Sequence, residues 1–104
     1  MAFREQRTLE IDQGGAGTTT LLAAIPETEI RVLNYLVVLS VAGTYAFSDG
    51  TDWFTGDIPT LASGGVFAAA ADPDFPLFVT GRGRPLSITT VGGSAHGHAR
   101  IELR

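Results

Sequence analysis

The chain contains no cysteine and no lysine, and charged residues make up only 17% of it. Without cysteine it can form no disulfide, no thiol nucleophile and no thiolate metal site, although compartment stays open. Without lysine there is no Gly-Lys-Ser or Gly-Lys-Thr phosphate loop, and no Gly-x-Ser-x-Gly elbow appears either. Long apolar runs are missing as well. The longest, Val32 to Ala42, is interrupted by Asn34 and Ser40 and is far too short to span a bilayer. Met1 to Asp12 mixes Arg4, Glu5, Arg7, Glu10 and Asp12 and lacks the apolar centre of a signal peptide, which predicts a soluble chain without its own export signal. Positive charge is short too: seven Arg against eleven Asp and Glu give a net charge of -4. Such a field repels nucleic acid and anionic membrane, so neither is an expected partner.

What is present is alternation. About eight short apolar runs (FREQRTLEI, TTTLLAAI, EIRVLNYLVVLSV, TYAFS, DWFTGDI, GVFAAA, LFVT with PLSITTV, and HARIEL) are separated by GGAG, AG, DGT, ASGG, DPDFP, GRGRP and VGGSAHG, and no helical period runs through them. Gly, Asp and Pro supply turn conformations that other residues adopt poorly. Short strands at this spacing predict an all-β fold, a single-domain antiparallel sandwich over residues 1–104. A chain of 104 residues can bury roughly two thirds of its unfolded surface and needs no covalent staple. Low charge with 44% hydrophobic content fits a surface partly covered by another subunit, or equally a compact β protein faced with Ser, Thr and Gly.

Within this frame, residues 1–12 read as an edge strand or an arm reaching a neighbour, with Phe3, Glu5, Arg7, Leu9 and Ile11 on one face. Glu29 to Val41 is apolar on both faces after Val32 and predicts a central strand. Ala42-Gly43 predicts a hairpin into Thr44 to Ser48, and Asp49-Gly50 is the strongest hairpin dipeptide in the chain. Gly56 to Gly65 reads as irregular loop, Gly65 to Ala71 as strand despite its alanines, and Asp72 to Pro76 as a rigid loop. Leu77 to Thr80 and Pro85 to Val91 predict a hairpin around Gly81 to Arg84.

Few residues offer chemistry. Gly81-Arg82-Gly83-Arg84-Pro85 contains the Arg-Gly-Arg-Pro core of minor-groove hooks, but it sits between strands in an acidic chain and reads as a turn. His96 and His98, the only histidines, share a strand face, as a zinc or iron site on a β scaffold requires, yet a closed site needs carboxylates from elsewhere or a symmetry axis. Asp49, Asp52 and Asp57, and separately Asp72 and Asp74, lack the spacing of a calcium loop and occur in turn-forming dipeptides. Trp53 and Phe54 follow the Asp-Gly turn; in a strand they point to opposite faces, one toward the core and the other toward surface or interface. No catalytic residue, cofactor or metal ligand is expected.

The order IRVLNYLVVLSVAGTYAFSDG, FTGDIPTLASGGVF and DPDFPLFVTGRGRPLSITTVGGSAHGHARIEL resembles small β-sandwich virion proteins of tailed bacteriophages and related gene-transfer particles. Gly43 and Asp49-Gly50 precede a loop with Gly56, Ile58 and Pro59, the Gly64-Gly65 pair follows, and Pro85 to Thr90 leads to the last glycine-rich strand. The resemblance covers residues 30–104 and is a pattern of turns without an active-site motif. It implies a jelly-roll-like sandwich with a structural role: a head decoration, cement or spike-base subunit, a homotrimer bound to a major capsid protein on the virion surface. The contact residues expected on this reading are Phe3, Arg4, Glu5, Arg7, Leu9, Trp53, Phe54, Ile58, Pro59 and Phe75. Two rivals are a carbohydrate-binding module with an aromatic platform at Trp53 or Phe54, and a metal-dependent β-barrel enzyme using His96 and His98.

Overall fold

The computed structural model describes residues 5–55, 58–60, 65–70 and 75–104, and contains strands and turns but no helix among them. Nine strands occur among the described residues: β1 (Glu5–Gln13), β2 (Gly17–Leu22), β3 (Ile30–Leu39), β4 (Gly43–Ser48), β5 (Ile58–Thr60), β6 (Gly65–Ala69), β7 (Phe78–Val79), β8 (Leu86–Val91) and β9 (Ala95–Leu103). They form two antiparallel sheets, ordered β1-β9-β3-β6 and β2-β8-β4-β5, with the two-residue β7 beside the start of β3.

The pairings are nested. β4 pairs β5, β3 pairs β6, β2 pairs β8 and β1 pairs β9, and successive pairs fall alternately in the two sheets. A long antiparallel ribbon has thus been rolled up on itself, with β9 closing onto β3 and β8 onto β4. This is the jelly-roll arrangement, and the all-β sandwich expected from the turn spacing is the fold observed.

Rolling corrects two expected hairpins. Ala42-Gly43 does not fold β4 back onto β3, and the Gly81–Arg84 turn does not pair β7 with β8; each carries the chain from one sheet to the other. Gly43 is required at its crossing because an added Cβ would lie 2.0 Å from the Val91 carbonyl oxygen. The Asp49-Gly50 turn does reverse the chain, with Gly50 at φ 86° and Ser48 bridging Trp53. The segment read as irregular between Gly56 and Gly65 contains β5, while Gly65–Ala69 is a strand as expected. Asp57, Asp72 and Asp74 lie outside the described residues.

β3 is central, flanked by β9 on one side and by β6 and β7 on the other. Its strict alternation is broken by a bulge at Leu33, where the register with β9 shifts between Val32 and Asn34. A bulge adds one residue and exchanges the faces beyond it. Ile30 and Val32 therefore face the core with Tyr35, Val37 and Leu39, while Asn34, Leu36 and Val38 turn outward and are half-buried. Across the core stand Tyr45, Phe47, Leu86 and Ile88 from the second sheet. Each fully buried Ile, Leu or Phe contributes about 1.5–3 kcal/mol. Tyr45 meets Tyr35 and Phe47 edge-to-face, Tyr35 and Phe47 lie tilted against each other, and the cluster continues through Phe78 to the stacked Phe54.

Candidate functional site

The outer face of the β1-β9-β3-β6 sheet is organised in transverse rows, because residues opposite one another on antiparallel strands share a face. One row runs Asp12, His96, Val38, Gly65; the next runs Glu10, His98, Leu36, Phe67; the third runs Thr8, Arg100, Asn34, Ala69. Polar groups thus collect at the β1 side and apolar groups at the β6 side. Phe67 is 63% exposed, beside half-buried Leu36 and Val38. The Phe67 ring thus stands exposed over aliphatic neighbours on this face. The sequence signal for it was the run without charge between Asp57 and Asp72, which does not by itself reveal that Phe67 faces outward.

At the polar end, His96 Nδ1 lies 3.3 Å from Asp12 Oδ1, and both side chains are well exposed. His98 stands opposite Glu10 on the same face, as the strand period requires. Among the described residues no group of three or more His, Asp or Glu is gathered closely enough to hold a metal ion.

The expected contact residues fall into different environments. Glu5 and Arg7 lie on β1 and pair with each other, while Leu9 is half-buried against the core. Phe54 stacks on Phe78 with ring centroids 5.2 Å apart and an interplanar angle of 10°, and Ile58 also packs against the core. Trp53 and Phe75 are exposed, by 61% and 76%. Pro59 lies opposite Thr44 in the β4–β5 pairing, and Phe3 and Arg4 lie outside the described residues. Phe54, one of the two rings expected as a sugar platform, is turned toward Phe78 and the core, and Trp53 stands exposed with no ring contact among the described residues.

The arginines of Gly81-Arg82-Gly83-Arg84 are engaged. Arg84 reaches Asp52 at 3.1 Å and Asp49 at 3.5 Å, and Arg82 donates to the carbonyls of Glu27 and Arg104. Asp49 is buried and accepts from the backbone N–H of Thr51, Asp52 and Gly81 at 3.0, 2.7 and 2.9 Å. Burial by itself raises its pKa, but those N–H donors and the Arg84 guanidinium outweigh it and hold the carboxyl below its usual range. Asp49 therefore fastens two loops together and has no oxygen facing a solvent cation. On the Arg82 side of the Gly81–Arg84 turn, a cleft of about 600 Å³ is lined by Ile25 and Leu103 with Arg7, Arg82, Glu29 and Arg104 around it. Among the described residues its lining holds no histidine or serine, and the hydroxyl of Thr28, which lines it, donates to the Pro26 carbonyl.

Among solved structures, this chain is similar to one from Bacillus endospore appendages, which are disulfide-linked pili; the TM-score is 0.51 at 12% identity, covering 99% of this chain and 88% of that chain. What the two share is the fold. A second similar chain, from the virus-like particle of the giant freshwater prawn Macrobrachium rosenbergii extra small virus, has a TM-score of 0.45 at 10% identity, covering 99% and 80% of the two chains. No protein-family model matches the sequence, and neither does any curated protein.

Proposed function

We propose that this chain is a structural subunit that works by packing against copies of itself and other components of a particle, without catalysis. The observation that carries the reading is the outer sheet face on which Phe67 stands exposed beside Leu36 and Val38. The interior of the roll is filled by aliphatic and aromatic side chains, so the surface is what remains to act. The fold is one that the Bacillus appendage chain carries in a pilus. Since this chain lacks cysteine, its contacts would be noncovalent.

In its narrowest form the reading is a decoration, cement or spike-base subunit: a homotrimer on the surface of a phage-like head, bound to the major capsid protein. β1, which occupies an outer sheet position, and exposed Trp53 and Phe75 offer contact groups for it. A strand adding to β1 would gain main-chain hydrogen bonds irrespective of side-chain identity.

The test is to measure the mass of the purified chain by light scattering over a wide concentration range, then to mix it with undecorated shells and image them. Assembly beyond a dimer, or saturable binding to shells, supports the reading. A chain that stops at monomer or dimer and binds no shell overturns it.

A further inference from the structure

Among the described residues both sheets end in strands with one open side, and natural sheets guard such edges with charge, especially lysine, with proline, with bulges or by shortness. Three of the four edges here are guarded. β1 carries Glu5, Arg7, Glu10 and Asp12; β2 has a register irregularity between Thr20 and Leu22; β5 is only three residues long and contains Pro59. β6 has none of these devices. Its sequence, Gly-Val-Phe-Ala-Ala, holds no charge and no proline, and its register with β3 runs unbroken from Asn34 to Val38.

We infer that β6 is a self-pairing edge, which joins antiparallel to β6 of a second copy across a two-fold axis at Phe67. This inference rests on the structural-subunit reading and names the contact it uses. Phe67 is the middle residue of the strand, so the two-fold register sets Phe67 against Phe67, Val66 against Ala68 and Gly65 against Ala69. A bulky residue meets its equal at the axis, and small residues flank it on both sides. On the outer face, the two Phe67 rings close over the Leu36 side chains of both copies, because Leu36 stands directly opposite Phe67. Val66 and Ala68 point toward the core and leave that packing unchanged.

A second copy fits better than an unlike partner for an electrostatic reason. The chain carries a net charge of -4, so two copies repel over most of their surface, but β6, Gly65–Ala69, contains no charged side chain. This is the stretch where identical chains approach at least cost, and it has no charge with which to select a different partner. Pairing one five-residue strand and covering one Phe buries much less than the roughly 1,600 Å² of a standard stable interface. The contact is therefore weak singly and gains strength when repeated in an assembly.

The absence of cysteine provides the experiment. Directly opposed residues of antiparallel strands have Cα atoms roughly 4.5–5.5 Å apart, within the range a disulfide spans. The full-length Phe67→Cys chain is oxidised beside a Thr20→Cys control, whose exposed position lies on the β2 edge. The inference expects a covalent dimer from Phe67→Cys at least about tenfold faster than from the control, and Phe67→Lys should weaken self-association of the uncrosslinked chain by a similar factor at unchanged melting temperature. Cross-linking no faster than the control overturns the inference. If the unmodified chain assembles while Phe67→Cys fails to link, the edge contact is wrong and the structural reading stands. If Phe67→Cys links while the unmodified chain neither builds larger assemblies nor binds shells, the edge contact stands and the structural reading falls.

Discussion

The hydroxyls of Tyr35 and Tyr45 meet at 3.0 Å inside the sandwich, one carried by each sheet. Both residues are buried, so each phenol depends on the other to satisfy a polar atom within an apolar core. Tyr35→Phe or Tyr45→Phe alone leaves the remaining hydroxyl without its partner and should cost about 1–3 kcal/mol in urea unfolding. The double variant should lose less than the sum of the two, which a double-mutant cycle measures. Burial, together with the hydrogen bond and charge of Tyr35, pushes the Tyr45 phenol well above its ordinary pKa. A raised folded pKa means that the stabilisation is complete below about pH 10 and is lost as pH rises beyond it. The wild-type melting temperature should therefore fall in strong alkali, and Tyr45→Phe should flatten that fall.

Asp49 works in the opposite pH range. Its folded pKa is depressed by three backbone donors and Arg84 in spite of burial, so its stabilisation is present above the unfolded value of about 3.9 and disappears as pH falls through the folded value. Asp49→Ala strands the N–H groups of Asp52 and Gly81 and should cost about 1–3 kcal/mol at pH 7. Denaturation midpoints at pH 7 and pH 2.5 should converge in the variant; an unchanged difference would show that other carboxylates govern the acid transition.

Gly97 tests the close approach of β9 to β3. It adopts φ 146°, and an added Cβ would lie 1.9 Å from the Leu36 carbonyl oxygen. Gly97→Ala should lose at least about 3 kcal/mol from overpacking and backbone strain together. In a domain of this size that lowers the melting temperature by roughly 12–24 °C. Gly14→Ala, where no atom comes within 4 Å of the added Cβ, should leave calorimetric stability nearly unchanged.

Trp53 is the only tryptophan and is 61% exposed, so it reports on contact without interference. Trp53→Ala should change stability by less than about 0.5 kcal/mol. If Trp53 is an assembly contact, its emission shifts to the blue and becomes shielded from quencher when assemblies or shell complexes form. An unchanged spectrum in the assembled state removes it from the interface.

The class of fold was legible because its signals are local. Strand-length apolar runs alternate with Gly, Asp and Pro turns, and each turn acts through backbone preferences of two or three residues. The Asp49-Gly50 reversal, the centrality of Glu29 to Val41 and the strand at Gly65 follow from such signals. So does the shared face of His96 and His98, which needs only a period of two. The Gly43 and Gly81–Arg84 segments also looked like hairpins, because a turn dipeptide does not encode which strand comes to lie beside it.

Pairing partners were decided only by the tertiary structure. The ribbon rolls so that hydrophobic faces bury one another, and that optimum makes residues as distant as Glu5 and Leu103 neighbours. The bulge at Leu33 reverses the faces of the rest of β3, a consequence of the register with β9 that no alternation within β3 contains. The same limit governs the candidate site. Sequence reading placed contacts at the N-terminal strand and at the aromatics near Trp53, yet Leu9, Phe54 and Ile58 pack on the core. Phe67, which the sequence marked only as one aromatic among alanines, became an exposed ring at an unguarded edge because pairing with β3 turns it outward. Composition and local turn chemistry fixed an all-β, noncovalently held chain; long-range burial chose the roll, the faces and the edge that remains open.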